Sequence, residues 1–273
     1  MTKTILITGA STGIGKSTAK FFQARGWNVV ATMRRPNDET ELTGLENVLV
    51  THLDVTDESS VKSAVSAGLE RFGKIDALLN NAGYGAWGPL EAFSLDRIRQ
   101  QFETNVFGLL ATMQAVLPHM RAAGAGVIVN VSSIGGKMTF PLGTIYHGTK
   151  YAVEGISEAM TYELDRLGIK MKIVEPGVIK TDFAGRSLDF NNDESMLEYQ
   201  PVVQLAKANM AAAANGGYGS EPELVAEVIW NAVTDGTSTL RYRAGADAVA
   251  LLDQREAQDD ETFLGAMKQN MSL

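Results

Sequence analysis

The chain has 273 residues, 45% of them hydrophobic, with no cysteine and a formal net charge of −8. Such a composition suits a globular protein with a real core, in one large domain or two small ones. It excludes disulfide and thiol chemistry, argues against a nucleic-acid partner, and offers no run of the roughly 18 apolar residues that a membrane span requires. His52, His119 and His147 are scattered without ligand spacing, so no metal site is expected. The apolar run Ile5–Ile7 is too short for a signal-peptide core, which points to a cytoplasmic protein.

Taken in chain order, strand-like and helix-like runs alternate. Thr4–Thr8 is apolar and β-branched and predicts a buried parallel strand. Lys16–Arg25 follows as a helix, with Gly26 as its stop. Asn28–Thr32 and Asn47–Leu53 read as strands, and Asp57 caps a helix that runs to Phe72 and stops at Gly73. Ala77–Asn80 is a short strand. Leu95–Ala123 reads as one long helix, kinked or broken at Pro118. Gly126–Ser132 is a strand, and Tyr146–Leu167 is an amphipathic helix with Val153, Ile156, Met160, Leu164 and Leu167 at steps of three and four. Lys170–Glu175 and Ser238–Tyr242 complete about seven strands. The alternation predicts an α/β fold: a Rossmann-type, doubly wound parallel sheet with helices on both faces, in a single domain over 1–273. Residues 181–221 show no strand pattern and are expected to form a substrate-covering lid. The tail, 246–273, is polar and acidic, and is expected to be peripheral and partly helical.

Between the first strand and the first helix lies Thr8-Gly9-Ala10-Ser11-Thr12-Gly13-Ile14-Gly15. A glycine-rich turn at a helix N-terminus lets backbone N–H groups approach a phosphate, and the helix dipole favours the negative charge. Two ligand readings compete. Ala10–Ser17 approximates a P-loop in which Lys16 would reach the β/γ-phosphates and Ser17 would hold magnesium. The same turn also suits a dinucleotide, although its spacing differs from Gly-x-Gly-x-x-Gly. The turn alone leaves the choice open. A P-loop enzyme also needs an Asp closing a hydrophobic strand. The best candidate, Asp54, follows a run interrupted by Thr51 and His52, so nucleotide hydrolysis is the second reading.

Tyr146 and Lys150 stand four residues apart and share a helix face. Tyr162 and Arg166 repeat that spacing on the surface, so the pair alone says little. Its weight comes from Ser133, thirteen residues upstream at the C-terminal end of a strand, where parallel sheets place their ligand sites. Asn80–Gly83 and Pro176-Gly177 follow strands at the same edge. The set suits a carbonyl/alcohol redox step, with Ser133 donating a hydrogen bond and Tyr146 passing the proton. A tyrosine near pKa ~10 needs roughly 4 kcal/mol of phenolate stabilisation to ionise at neutral pH. An ammonium at about 4 Å, at an effective dielectric of about 20, supplies that much. Lys150 is therefore expected to draw Tyr146 down. The hydride must come from a cofactor.

Thr8–Gly15, Asn80–Gly83, Asn105, Ser133, Tyr146-x-x-x-Lys150 and Pro176-Gly177 occur in the order and spacing of the short-chain dehydrogenase/reductase family, which this chain resembles over about residues 3–183. The resemblance implies a catalytic tetrad of Asn105, Ser133, Tyr146 and Lys150, with Asn105 holding a water in the proton relay. It implies cofactor binding by Gly9, Ser11, Thr12, Gly13, Ile14 and Gly15, by Asp54 at the adenine amino group with Val55 beside it, and by Asn81 and Gly83 on the adenosine side. Tyr146, Lys150, Pro176 and Gly177 would complete that surface, and Ile179 and Thr181 would meet the nicotinamide carboxamide. Asn80 would tie neighbouring strands. The segment Tyr146–Gly155 is similar to the 17β-hydroxysteroid dehydrogenase-like branch. Family members are usually dimers or tetramers, which implies a homodimer or homotetramer.

In NAD-preferring folds a carboxylate about 20 residues beyond the glycine turn binds the ribose 2′-OH. That place falls around Met33, and Arg34 and Arg35 follow it. A guanidinium there suits a 2′-phosphate, so the prediction is NADP(H), read by Arg34, with NAD(H) as the alternative. Thr12 stands where some family members carry a basic residue, so this signature is partial. The substrate is expected to be a small carbonyl or alcohol. Tyr84, Trp87, Met138, Phe140, Leu142, Phe183 and Tyr218 are available to line an apolar pocket. Two rival functions are a P-loop nucleotide hydrolase and a catalytically silent NADP(H)-sensing protein. The intact Ser133, Tyr146 and Lys150 argue against the second.

Overall fold

Four residues, Thr4–Ile7, form strand β1, and all four are buried because apolar side chains leave both faces of the strand. The computed structural model describes residues 2–183, 185–215 and 219–271, so Tyr218 lies outside the described residues. After β1 come α1 (Gly13–Gln23), β2 (Asn28–Met33), β3 (Val48–His52), α2 (Glu58–Phe72), β4 (Ala77–Asn80) and β5 (Gly85–Trp87). Next are α3 (Leu95–Phe102), α4 (Gly108–Ala123), β6 (Gly126–Val131), α5 (Thr144–Leu164), β7 (Ile169–Pro176) and β8 (Leu188–Phe190). The chain closes with α6 (Gln200–Asn215), α7 (Pro222–Thr234), β9 (Arg241–Ala244), α8 (Ala246–Ala257) and α9 (Asp260–Asn270).

Seven strands form one parallel sheet in the order β3-β2-β1-β4-β6-β7-β9. The order reverses between β1 and β4, which opens a crevice at the carboxyl edge there. Alternation along β1 divides the core. Ile5 and Ile7 face α1 and α7, with Phe22, Val225 and Ile229. Leu6 faces α2, α4 and α5, with Val65, Met113 and Val153. Burying side chains of this size contributes roughly 1.5–3 kcal/mol each. Asp57 caps α2 by accepting from the N–H of Ser59 (2.8 Å) and Ser60 (3.4 Å), and Gly73 ends it at a left-handed φ of 78°. No helix among the described residues is long and apolar enough to cross a membrane.

Several elements differ from the sequence expectation. The helix predicted over 95–123 runs without interruption from α3 into α4, but a π turn at residues 103–107 widens it. Pro118 lies inside α4, which continues to Ala123. The α1 helix stops at Gln23, and Gly26 makes the left-handed turn into β2. The last strand falls at Arg241–Ala244, beyond the predicted Ser238–Tyr242. Residues 181–221 are more regular than their composition suggests: β8 pairs in parallel with β5, and α6 follows. The tail also packs more firmly than a polar appendage would. Ala248, Leu252 and Phe263 are buried against Ile134 and Met138.

Candidate active site

Beyond Ile7 the chain turns through Thr8–Thr12 into α1. Gly9 and Gly13 take φ of 68° and 53°, a region where a side chain is strained. Gly15 is required for closeness, since a Cβ there would overlap the Gly9 carbonyl oxygen. Asn81, just after β4, ties the turn down. Its Nδ2 donates to Thr8 O (2.9 Å) and Gly9 O (3.0 Å), while its N–H donates to Thr8 Oγ1 (3.0 Å). Thr12 is the N-cap of α1 but makes no side-chain cap bond, and no acidic residue stands in the first turn. The first-turn N–H groups, Gly13 to Gly15, make no hydrogen bond among the described residues and stand at the positive end of the helix dipole. This cradle fits the phosphates of a dinucleotide.

The P-loop parts are committed elsewhere. Lys16 Nζ pairs with Glu41 (2.7 Å) and Glu39 (3.2 Å), and the Ser17 hydroxyl donates to Glu223 (2.6 Å). Asp54 Oδ1 accepts from the N–H and hydroxyl of Thr56 at 3.0 and 2.8 Å. The hydrolase reading thus lacks its lysine, its magnesium hydroxyl and its aspartate.

Ser133 follows β6, half-buried, with its Oγ accepting from the Gly135 N–H at 3.0 Å. Tyr146 lies in the first turn of α5, only 8% exposed. Burial pushes its hydroxyl up to about 12, against the opposing hydrogen bond to Ser133. Lys150 donates to Val131 O at 2.9 Å, with its Nζ 5.8 Å from the centre of the Tyr146 ring. Burial lowers Lys150 to about 8, and the Glu154 carboxylate opposes that. The expectation that Lys150 draws the Tyr146 pKa down is therefore corrected for the free protein. The ammonium is anchored on a β6 carbonyl and stands over the ring, so desolvation of the phenol outweighs it.

Asn105 sits in the π turn, 3% exposed. Its Oδ1 accepts from the Tyr84 N–H (3.1 Å), and its Nδ2 donates to Tyr84 O (2.9 Å) and Thr149 Oγ1 (3.1 Å). Thr149 in turn donates to Tyr146 O at 2.7 Å. The Asn105 side chain thus braces the first turns of α5 against the chain after Gly83. A Cβ at Gly83 would come within 3.1 Å of Asn105 Oδ1. Asn80 donates to Asn130 Oδ1 at 2.9 Å and ties β4 to β6, as expected.

The remaining predicted cofactor residues line the same edge. Val55 is buried beside the half-buried Asp54. Arg34 is exposed and forms no ion pair among the described residues, whereas Arg35 pairs with Asp38 at 3.2 Å. Pro176 ends β7. Ile179 bridges Ser220, and Thr181 accepts from the Phe183 N–H at 3.3 Å.

Three aromatic rings surround Tyr146: Trp87 at 4.9 Å between ring centroids, His147 at 5.6 Å and Phe183 at 5.9 Å. Of the other predicted pocket residues, Met138 is buried against the C-terminal helices. Tyr84 packs with Phe93 and Ile145. Phe140 and Leu142 border a cavity of about 440 Å³ with Thr144, His147 and Tyr151; Tyr146 is not among its walls.

Sequence reasoning missed two positioning residues. His147 Nε2 accepts from the Phe140 N–H (3.0 Å) while Nδ1 bonds Gly135 O (2.9 Å), so one neutral tautomer staples the loop after Ser133. Asp247 of α8 accepts from the Val178 N–H at 2.7 Å, and only a glycine at 177 leaves room for its carboxylate. Its sole signal was an acidic residue just after Gly245.

Residues 3–192 match the family model described as short chain dehydrogenase. An uncharacterized oxidoreductase of Schizosaccharomyces pombe is 44% identical over 247 residues, covering 88% of this chain and 100% of its own. A short-chain dehydrogenase from Streptomyces avermitilis is similar in structure, with a TM-score of 0.81, 32% identity, and 94% and 95% of the two chains covered. ElxO with NADP bound is also similar, with a TM-score of 0.75 and 28% identity over 92% of this chain and 100% of ElxO.

Proposed function

The chain belongs to the short-chain dehydrogenase family, and from that premise we propose that it is an NADP(H)-dependent oxidoreductase interconverting a carbonyl compound and a secondary alcohol. One observation carries this reading. Ser133, Tyr146 and Lys150 converge at the sheet edge that also bears the anion-binding turn. A nicotinamide cofactor supplies or accepts the hydride.

Tyr146 keeps its proton across the neutral range and donates it to the carbonyl oxygen in reduction; in oxidation it takes the proton back. Ser133 donates a second hydrogen bond to that oxygen. Lys150 stabilises the phenolate that reduction leaves behind. Asn105, whose side chain bonds Tyr84 and Thr149, would hold a water in the proton relay. A positioned acid–base group contributes roughly 10²–10⁴ in rate. Tyr146→Phe should lower turnover by at least about a hundredfold in a carbonyl panel followed by NADPH absorbance, with cofactor binding unchanged. Turnover insensitive to that change would overturn the mechanism.

The exposed, unpaired Arg34 supports the NADP(H) preference, and so does the NADP bound by ElxO. Arg34→Ala should erase any preference for NADPH over NADH; an unchanged ratio would remove the assignment. The rings of Trp87, His147 and Phe183 around Tyr146 favour an apolar carbonyl substrate covered by residues 181–221. The family resemblance and the acidic, cysteine-free composition support a cytoplasmic homodimer or homotetramer, which light scattering on the purified protein would check.

A further inference from the structure

The first turn of residues 181–221 lies directly on the glycine turn. A Cβ at Gly13 would come within 3.1 Å of Thr181 Cγ2. Five residues beyond Thr181, the guanidinium of Arg186 donates to Thr12 Oγ1. The Arg186 backbone N–H bonds Asp182 O at 2.9 Å, and its Nε stands 3.6 Å from the Asp182 carboxylate. Four of its five guanidinium N–H donors make no hydrogen bond among the described residues.

This arrangement diverts Thr12 from its usual task. An N-cap threonine ordinarily accepts from a first-turn N–H of its own helix. Here the hydroxyl is held by a cation from a segment 174 residues away, and the helix donors remain open to an outside anion. Thr12 is also the place where this sequence lacks the basic residue that some family members carry. A positive charge reaches that place from another part of the chain.

We propose that Arg186 is a cofactor-phosphate ligand, which grips the dinucleotide pyrophosphate together with the N-terminus of α1. The proposal rests on the nicotinamide reading above. A guanidinium suits the role because its planar fork binds phosphate oxygens in pairs and never loses its charge. Asp182 holds the fork in place without consuming its donors. The same short turn carries Phe183, whose ring packs 5.9 Å from Tyr146, so fixing Arg186 on a phosphate also fixes one wall of the reaction pocket.

Arg186→Ala and Arg186→Lys test this. NADPH and NADH are each titrated by tryptophan-fluorescence quenching, and hydrogen exchange of residues 185–190 is followed with and without dinucleotide. Arg186 is half exposed at its side chain, so both variants should melt like the parent. Arg186→Ala should weaken both dinucleotides by about tenfold or more, with their affinity ratio unchanged, and Arg186→Lys should recover part of the loss. Dinucleotide should slow exchange in 185–190 in the parent but not in Arg186→Ala. Unchanged affinity for both dinucleotides overturns the proposal. A loss confined to NADPH also overturns it, by moving the contact to the 2′-phosphate. A parent protein that binds neither dinucleotide would sink the nicotinamide reading itself, an outcome distinct from both.

Discussion

Glu175, one residue before Pro176 on β7, is 1% exposed. Among the described residues its Oε1 has no hydrogen-bond partner, and neither has Oε1 of Glu154. Arg241 binds Glu154 at 2.9 Å and Glu158 at 2.5 Å, but reaches Glu175 only at 3.7 Å. Burial first and Glu154 second push the Glu175 carboxyl up to about 7, against the pull of Arg241, Lys137 and Arg243. A carboxyl raised in this way contributes its full stability below the unfolded value of 4.5, and loses it as pH rises through about 7. At about 1.4 kcal/mol per pH unit, that gap costs the folded protein about 3 kcal/mol above pH 7. Glu175→Gln removes the titration. The stability difference between variant and parent should therefore be flat below about pH 4.5, grow between there and about 7, and then level off at about 3 kcal/mol in favour of the variant. Urea unfolding at three pH values reads the difference, and at pH 8 the melting temperature should rise by about 6–12 °C. A difference of the same size at pH 4 and pH 8, whatever its sign, would refute the argument.

Three further outcomes follow from the same geometry. Gly15→Ala drives a Cβ into the Gly9 carbonyl, so the phosphate turn must open; dinucleotide titration should show affinity falling at least about tenfold, and parent-like binding would contradict the close packing. Asp247→Ala removes the acceptor of the Val178 N–H and should destabilise the fold by about 1–3 kcal/mol in denaturant titrations, with cofactor affinity falling as the loop at Gly177 loosens. Burial lowers Lys150 from 10.5 to about 8, so the ammonium form exists below that value and is lost above it; kcat/KM for carbonyl reduction should decline as pH passes about 8, and a flat profile to pH 10 would count against Lys150 as the charged partner.

What was legible in the sequence and what was not divides along a physical line. The sheet could be read because β1, β4, β6 and β7 are buried on both faces, and continuous apolar runs announce that burial locally. Asp57 and Gly73 marked their helix because caps are made by adjacent residues. The site could be read only as a set, because Ser133, Tyr146 and Lys150 each sit beside a strand end that the alternation had already located. The misreadings come from contacts that no local pattern encodes. Lys16 and Ser17 look like a P-loop until Glu39, Glu41 and Glu223 arrive from distant segments to bind them. The π turn at residues 103–107 holds Asn105, whose side chain reaches Tyr84 and Thr149 at once; Pro118, the expected kink or break, lies inside α4, which continues to Ala123. The charge on Tyr146 was misjudged for a related reason. Spacing along α5 placed an ammonium near the ring, but it could not show that Lys150 would be anchored on Val131 O or how deeply the phenol would be buried. The tail carried the least signal, yet Asp247 and Phe263 from that tail hold the loops on which Gly177 and Ser133 depend. Local pattern therefore nominates the residues of the candidate site, and the long-range contacts decide their protonation and their rigidity.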